Sequence, residues 1–95
     1  MRVIITEEAE VSLDEIIEYL RENWNQTVID KFLSNIQVTI QRIQKFPRSF
    51  PVSAFVDVQR ALISKQIVML FKIENETLTI LLFWDARQNP ENLKV

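Results

Sequence analysis

The chain is 95 residues long, with 11 Lys+Arg against 13 Asp+Glu and no Gly, His or Cys. About seven glycines would be average for this length, and their absence removes the glycine-rich phosphate loops, which need backbone that only Gly allows. Without His or Cys there is no imidazole base, thiolate nucleophile, zinc finger or disulfide, so any chemistry rests on carboxylates, Lys, Arg, hydroxyls or backbone.

The first element is a short strand at Val3-Ile4-Ile5. Thr6 follows as an N-cap, with Glu7, Glu8 and Glu10 in the first turn, where the helix dipole favours negative charge. Ala9, Leu13, Ile16, Ile17, Leu20 and Trp24 recur at helical spacing and form one apolar stripe, with the acids on the other face. Asn23 and Asn25 are the expected left-handed residues that end this helix, a place Gly usually takes. A second helix begins near Thr27, with Ile29, Phe32, Leu33, Ile36, Ile40 and Ile43 on one face. Phe46-Pro47 closes it, because the residue before Pro avoids helical dihedrals. The connection is so short that the two helices form an antiparallel hairpin.

Residues 47–53 read as loop, its path held by Pro47 and Pro51. Strands are expected at about 55–63, 66–73 and 78–84, with Asn75 as the left-handed residue of the turn joining the last two. The fold class is therefore α+β in the order β-α-α-β-β-β, a helical hairpin packed on a small, largely antiparallel sheet, with residues 1–95 as one domain. In the third strand Ile67, Met69, Phe71 and Ile73 alternate with Val68, Leu70 and Lys72. In the fourth, Leu78, Ile80, Leu82 and Trp84 alternate with Thr79, Leu81 and Phe83. Both faces are mostly apolar, yet two helices cover only one. The other face either docks a partner or lies under loop 47–54 and the C-terminal tail.

Charge is unevenly spread. Residues 1–30 carry eight acids and two bases, residues 31–95 five acids and nine bases. The overall acidity disfavours tight nucleic-acid binding, which draws most of its affinity from phosphate neutralisation. No apolar run approaches the roughly 18 residues of a membrane span, and the N-terminus lacks the apolar core of a signal peptide. A cytoplasmic protein with no membrane partner is expected. The acidic spacing of the first helix offers no converging oxygen ligands, so neither metal nor cofactor is expected.

Several stretches together point to a family. They are Val3-Ile4-Ile5-Thr6 with Ala9, the run Leu13-Asp14-Glu15-Ile16-Ile17-Glu18-Tyr19-Leu20 before Trp24, and Ile43-Gln44-Lys45-Phe46-Pro47. The most specific is Ile80-Leu81-Leu82-Phe83-Trp84-Asp85-Ala86-Arg87-Gln88-Asn89-Pro90. In order and spacing the chain resembles the RelE/ParE superfamily of toxins from type II toxin–antitoxin systems, the plasmid-stabilisation type, over nearly its whole length. The resemblance implies a small bacterial toxin neutralised by a cognate antitoxin. It further implies one of two activities, ribosome-dependent mRNA cleavage (RelE-like) or poisoning of DNA gyrase (ParE-like).

Cleavage of RNA needs a base, an acid and cations about the scissile phosphate. On the family pattern, Arg87 takes the Arg position after the last strand and Arg60 that of one second-strand lysine. Ile67 stands where the pattern has an Arg, Val58 where it has the other lysine, and Leu93 about where it has a C-terminal Tyr. Most of the nuclease set is thus missing, which favours the ParE-like branch and a protein target over the ribosome and mRNA. An inactive relative that only binds an antitoxin fits the same residues.

For a nuclease, the candidate catalytic residues are Arg60, Lys65 and Arg87. For a partner surface they are Arg60, Ile67, Met69, Phe71, Trp84 and Arg87. Four of these have a plainer alternative. Arg60 can snorkel from a sheet edge or pair with Asp57 or Asp85. Arg87 with Asp85 can be a surface ion pair worth at most about 1 kcal/mol. Lys65 can be solvated in its turn, and Trp84 can be core.

Overall fold

A computed structural model describes residues 1–52 and 57–85. In chain order the elements are β1 (Arg2–Ile5), α1 (Glu7–Asn23), α2 (Gln26–Lys45), a single 3-10 turn (Pro47–Ser49), β2 (Gln59–Leu62), β3 (Ile67–Glu74) and β4 (Thr77–Asp85). Two helices cover one face of a four-stranded sheet in the order β1-β4-β3-β2.

The helix ends follow from local chemistry. The Thr6 hydroxyl accepts from the Ala9 N–H at 3.1 Å, and the acids of the first turn complement the dipole as expected. At the other end the arrangement differs from the expectation. Neither Asn23 nor Asn25 is left-handed. Trp24 closes α1 at φ −135° and ψ −146°, its N–H bonded to Leu20 O, while the Asn25 side chain caps α2 by accepting from Val28 N–H at 3.1 Å. An Asx cap on the second helix competes with a left-handed stop on the first, and here the cap prevails. The last turn of α2 carries Arg42 and Lys45, and Lys45 Nζ stacks over the Phe46 ring, 5.5 Å from its centroid.

β3 pairs antiparallel with both β2 and β4. β1 pairs parallel with β4, Val3 opposite Leu78 and Ile5 opposite Ile80, so the sheet is mixed. β2 is shorter than the expected 55–63 and begins at Gln59; residues 53–56 lie outside the described part. The turn between β3 and β4 is a two-residue loop with Asn75 at φ 50° and Glu76 at φ 61°, the left-handed pair that matches strand twist. Asn75 was expected there. Glu76 carries a Cβ into a region that disfavours it. Glu76→Gly is expected to stabilise the fold by about 0.5–1 kcal/mol, read as a higher melting temperature.

One irregularity changes how β4 is read. Leu70 pairs with Leu82 but Phe71 with Ile80, which leaves Leu81 as an extra residue, a bulge. Beyond it the alternation reverses. Leu78, Ile80 and Phe83 therefore share the buried face, whereas Leu82 and Trp84 pair with Leu70 and Val68 on the other. The strict alternation expected from the sequence put Leu82 and Trp84 with Ile80, and the bulge overturns it. β1 ends at Ile5, so past Ile80 the backbone of β4 on that side has no strand to pair with, and α1 supplies the partners. The Thr6 hydroxyl donates to Leu81 O at 3.1 Å, and Ser12 Oγ accepts the Phe83 N–H at 3.0 Å. Ser12→Ala should cost about 1–2 kcal/mol in a urea titration, since it strands a partly buried N–H.

The helices cover the face built from Ala61, Ile67, Met69, Phe71, Leu78, Ile80 and Phe83, and Ala9, Phe32, Ile36 and Ile43 pack onto it. Phe50 meets Phe71 edge-on, centroids 5.9 Å apart, a favoured aromatic geometry. On the opposite face Leu70 is only 5% exposed, and Val68, Lys72, Leu82 and Trp84 are half-buried. That face is apolar but largely sheltered from solvent along β3 and β4. Exposure on that side falls at its two edges, at Arg60 and Leu62 of β2 and at Arg2 and Ile4 of β1.

Candidate functional site

Where the helical hairpin overhangs the end of β4, the molecule opens into a groove of about 900 Å³. Its helical wall is the continuation of the two apolar stripes: Ile16, Leu20 and Trp24 from α1, Val28 and Phe32 from α2. Leu20 and Trp24 come from the end of α1 and Val28 and Phe32 from the first turns of α2, so this wall is built where the hairpin turns. The opposite wall is the β2–β3 turn, Ser64 to Ile67, with Leu82 to Asp85 of β4. Trp24, at the hairpin tip, is 60% exposed. A large aromatic held out on a rigid tip beside an apolar cleft is a ready anchor for a partner.

Among the described residues, the charges lining this groove are two of each sign. Lys31 and Lys65 face in from α2 and the turn, Glu15 and Asp85 from α1 and β4. The outer flank of α1 is acidic, and there Arg21 pairs with Glu18 at 3.0 Å.

The candidate residues separate into distinct places. Lys65, Ile67 and Trp84 line the groove together. Ile67, Met69 and Phe71 are buried under the helices, so as partner-contact residues they are corrected: they hold the sheet to the hairpin and present no surface to another molecule, apart from the edge of Ile67 at the groove floor. Arg60 stands on the opposite face of β2, opposite Leu70; it is exposed, and its N–H bonds Pro51 O at 3.0 Å. The ion pairs among the described residues join Arg21 to Glu18 and Lys72 to Glu74. Arg87 lies outside the described residues, as do Val56 and Leu93, so its relation to Arg60 and Lys65 is not part of the geometry. No group of three His, Cys, Asp or Glu among the described residues is placed to hold a metal ion. No described helix is long and apolar enough to cross a membrane.

The groove itself was not foreseen as a unit. Trp24 belongs to the apolar stripe of α1, and only the hairpin geometry brings it, with Tyr19, Val28 and Lys31, opposite the β2–β3 turn. The one local signal was Trp24, a bulky apolar residue at the point where its helix stops.

The family model for the ParE toxin of type II toxin–antitoxin systems matches residues 3–90. Among curated proteins no sequence matches. Solved structures share the fold at low sequence identity. The chromosomal ParDE toxin–antitoxin system from P. aeruginosa aligns with a TM-score of 0.74 at 16% identity, over 90% of this chain and 96% of that one. A YoeB/ParE toxin from Agrobacterium tumefaciens gives 0.63 at 9%, over 90% and 98%. The YoeB–YefM complex from Staphylococcus aureus gives 0.60 at 11%, over 87% and 93%.

Proposed function

From the premise that the chain belongs to the ParE toxin family of type II toxin–antitoxin systems, we propose that it is a toxin of the ParE-like branch. On this reading it acts by protein–protein contact, with DNA gyrase as its target, and a cognate antitoxin holds it inactive. The observation that carries the reading is the groove at the hairpin tip. It is apolar, balanced in charge and walled by Leu20, Trp24, Phe32 and Leu82. Such a surface suits the side chains of a polypeptide better than it suits a phosphate backbone. Toxins of this family act with antitoxins, as the ParDE and YoeB–YefM assemblies exemplify by name, and the groove offers an antitoxin segment a place to bury apolar residues.

The nuclease reading has less to stand on. Position 67 is an isoleucine of the groove floor and core, where a cleavage site of the RelE kind has a cation. Arg60 stands on the outer face of β2, away from the groove that Lys65 lines, so the two cations do not converge on one scissile phosphate.

Expression of the chain alone, beside co-expression with the product of the adjacent small gene, tests the proposal. Growth arrest that the second protein relieves, a stable complex of the two, and inhibited supercoiling by purified gyrase are the expected results. Cleaved mRNA 5′ ends that vanish with Arg60→Ala or Lys65→Ala would move the protein to the RelE-like branch. Unimpaired growth with an intact complex would make it an inactive relative that binds an antitoxin.

A further inference from the structure

We propose that two copies of this chain pair through β1, antiparallel about a two-fold axis, and join their sheets into one of eight strands. The two edges of the sheet are not alike. On the β2 side the chain before the strand closes the edge: Arg60 N–H bonds Pro51 O, and Val52 bridges Gln59. On the β1 side, among the described residues, nothing covers the strand. Val3, Ile4 and Ile5 are each 37–41% exposed; the edge is short and starts with a charge, Arg2, but from Val3 to Ile5 it carries no proline, charge or bulge that would block pairing.

The main-chain geometry selects a register. Arg2 N–H bonds Glu76 O and Thr6 N–H bonds Ile80 O, both at 3.0 Å, so the even-numbered residues turn toward β4. Val3 and Ile5 therefore turn their N–H and C=O groups outward. The Met1 carbonyl, next in that outward row, is already taken by Gln44 Nε2 at 3.3 Å. If Val3 of one copy lies opposite Ile5 of the other, each such pair exchanges two hydrogen bonds. Ile4 then faces Ile4 across the axis. Val3 and Ile5 share the helix side of the sheet with Leu78 and Ile80, so the same register sets apolar side chains against apolar side chains on both faces.

Charge favours the antiparallel sense. The start of β1 lies beside Arg2 and the last turn of α2, which carries Arg42 and Lys45 and is tied to Met1 by Gln44. Its end runs into Glu7, Glu8 and Glu10 of α1. An antiparallel pair lays the basic end of each copy beside the acidic end of the other, twice. The contact is isologous and uses up both open edges, so it closes as a dimer and does not grow into a filament. A four-residue strand buries less than the roughly 1,200 Å² of a standard stable interface, which makes the dimer weak and concentration-dependent.

Sedimentation equilibrium of the full chain from roughly 10 µM to 1 mM is expected to show a monomer–dimer equilibrium with a dissociation constant on the order of 100 µM. Raising the salt from about 0.05 to 0.5 M should weaken it several-fold. Ile4→Lys sets two ammonium groups facing across the axis, and Val3→Pro deletes an outward N–H while sparing every intrachain bond. Each should weaken the dimer at least about tenfold, with far-UV dichroism and melting showing that both variants fold. Amide exchange at Val3 and Ile5 should slow as concentration rises. A chain that stays monomeric throughout, or a dimer that both variants leave unchanged, overturns the proposal. So does protection of those two amides at the lowest concentration, which would mean that the chain's own tail occupies the edge.

Discussion

Phe71→Ala is expected to lower the unfolding free energy by about 3–5 kcal/mol. Phe71 is fully buried; it lies in β3 opposite Ile80 and Gln59 and meets the Phe50 ring edge-on. Alanine removes the ring and leaves a cavity in the layer between the sheet and the two helices, whose walls cannot collapse inward together. A domain of this size has only about 5–14 kcal/mol to lose. The melting temperature should fall by roughly 12–40 °C, and a urea titration should show a lower midpoint at similar slope. Leu62→Ala, on a residue that is 65% exposed, is the control, with an expected effect within about 0.5 kcal/mol.

The second large effect is on binding. In the complex with its antitoxin, Trp24→Ala should weaken affinity by about 30- to 1,000-fold, equivalent to roughly 2–4 kcal/mol. Trp24 already projects from the hairpin tip at the mouth of the groove. Its truncation removes contact area from the complex while leaving the free fold little changed. Calorimetric titration of the wild type and the variant, together with their melting temperatures, separates the two effects. If melting is unchanged and affinity falls by less than about threefold, the groove is not where the antitoxin anchors.

The elements that read cleanly from the sequence are those whose signal is local and unambiguous. The stripe from Ala9 to Trp24 is bounded by Thr6, and the stripe from Ile29 to Ile43 by Phe46-Pro47; both helices form within those limits. Asn75 marks its turn because few other residues accept a left-handed backbone. The phase of β4 was not legible past Ile80. Leu81, Leu82, Phe83 and Trp84 are all apolar, so no polar residue marks which one is extra, and the bulge depends on Thr6 and Ser12, about seventy residues away. The same uniformity hid which sheet face the helices cover, and with it the burial of Met69 and Phe71. Family likeness pointed to the type of protein, but the groove came only from tertiary geometry, since its walls are drawn from four separate stretches of chain.

β4 is the last of the described strands in the chain, yet it sits inside the sheet between β1 and β3. β1 therefore has no neighbour until about seventy further residues exist, and its pairing is a high-contact-order step that local contacts cannot speed. On a ribosome the helical hairpin and the β2–β3 ladder can form early, but the sheet stays in two pieces until β4 threads between them. The groove ends on that same strand. Folding and the surface that grips a partner are thus completed by one late event, and a chain interrupted before Leu78 would carry neither.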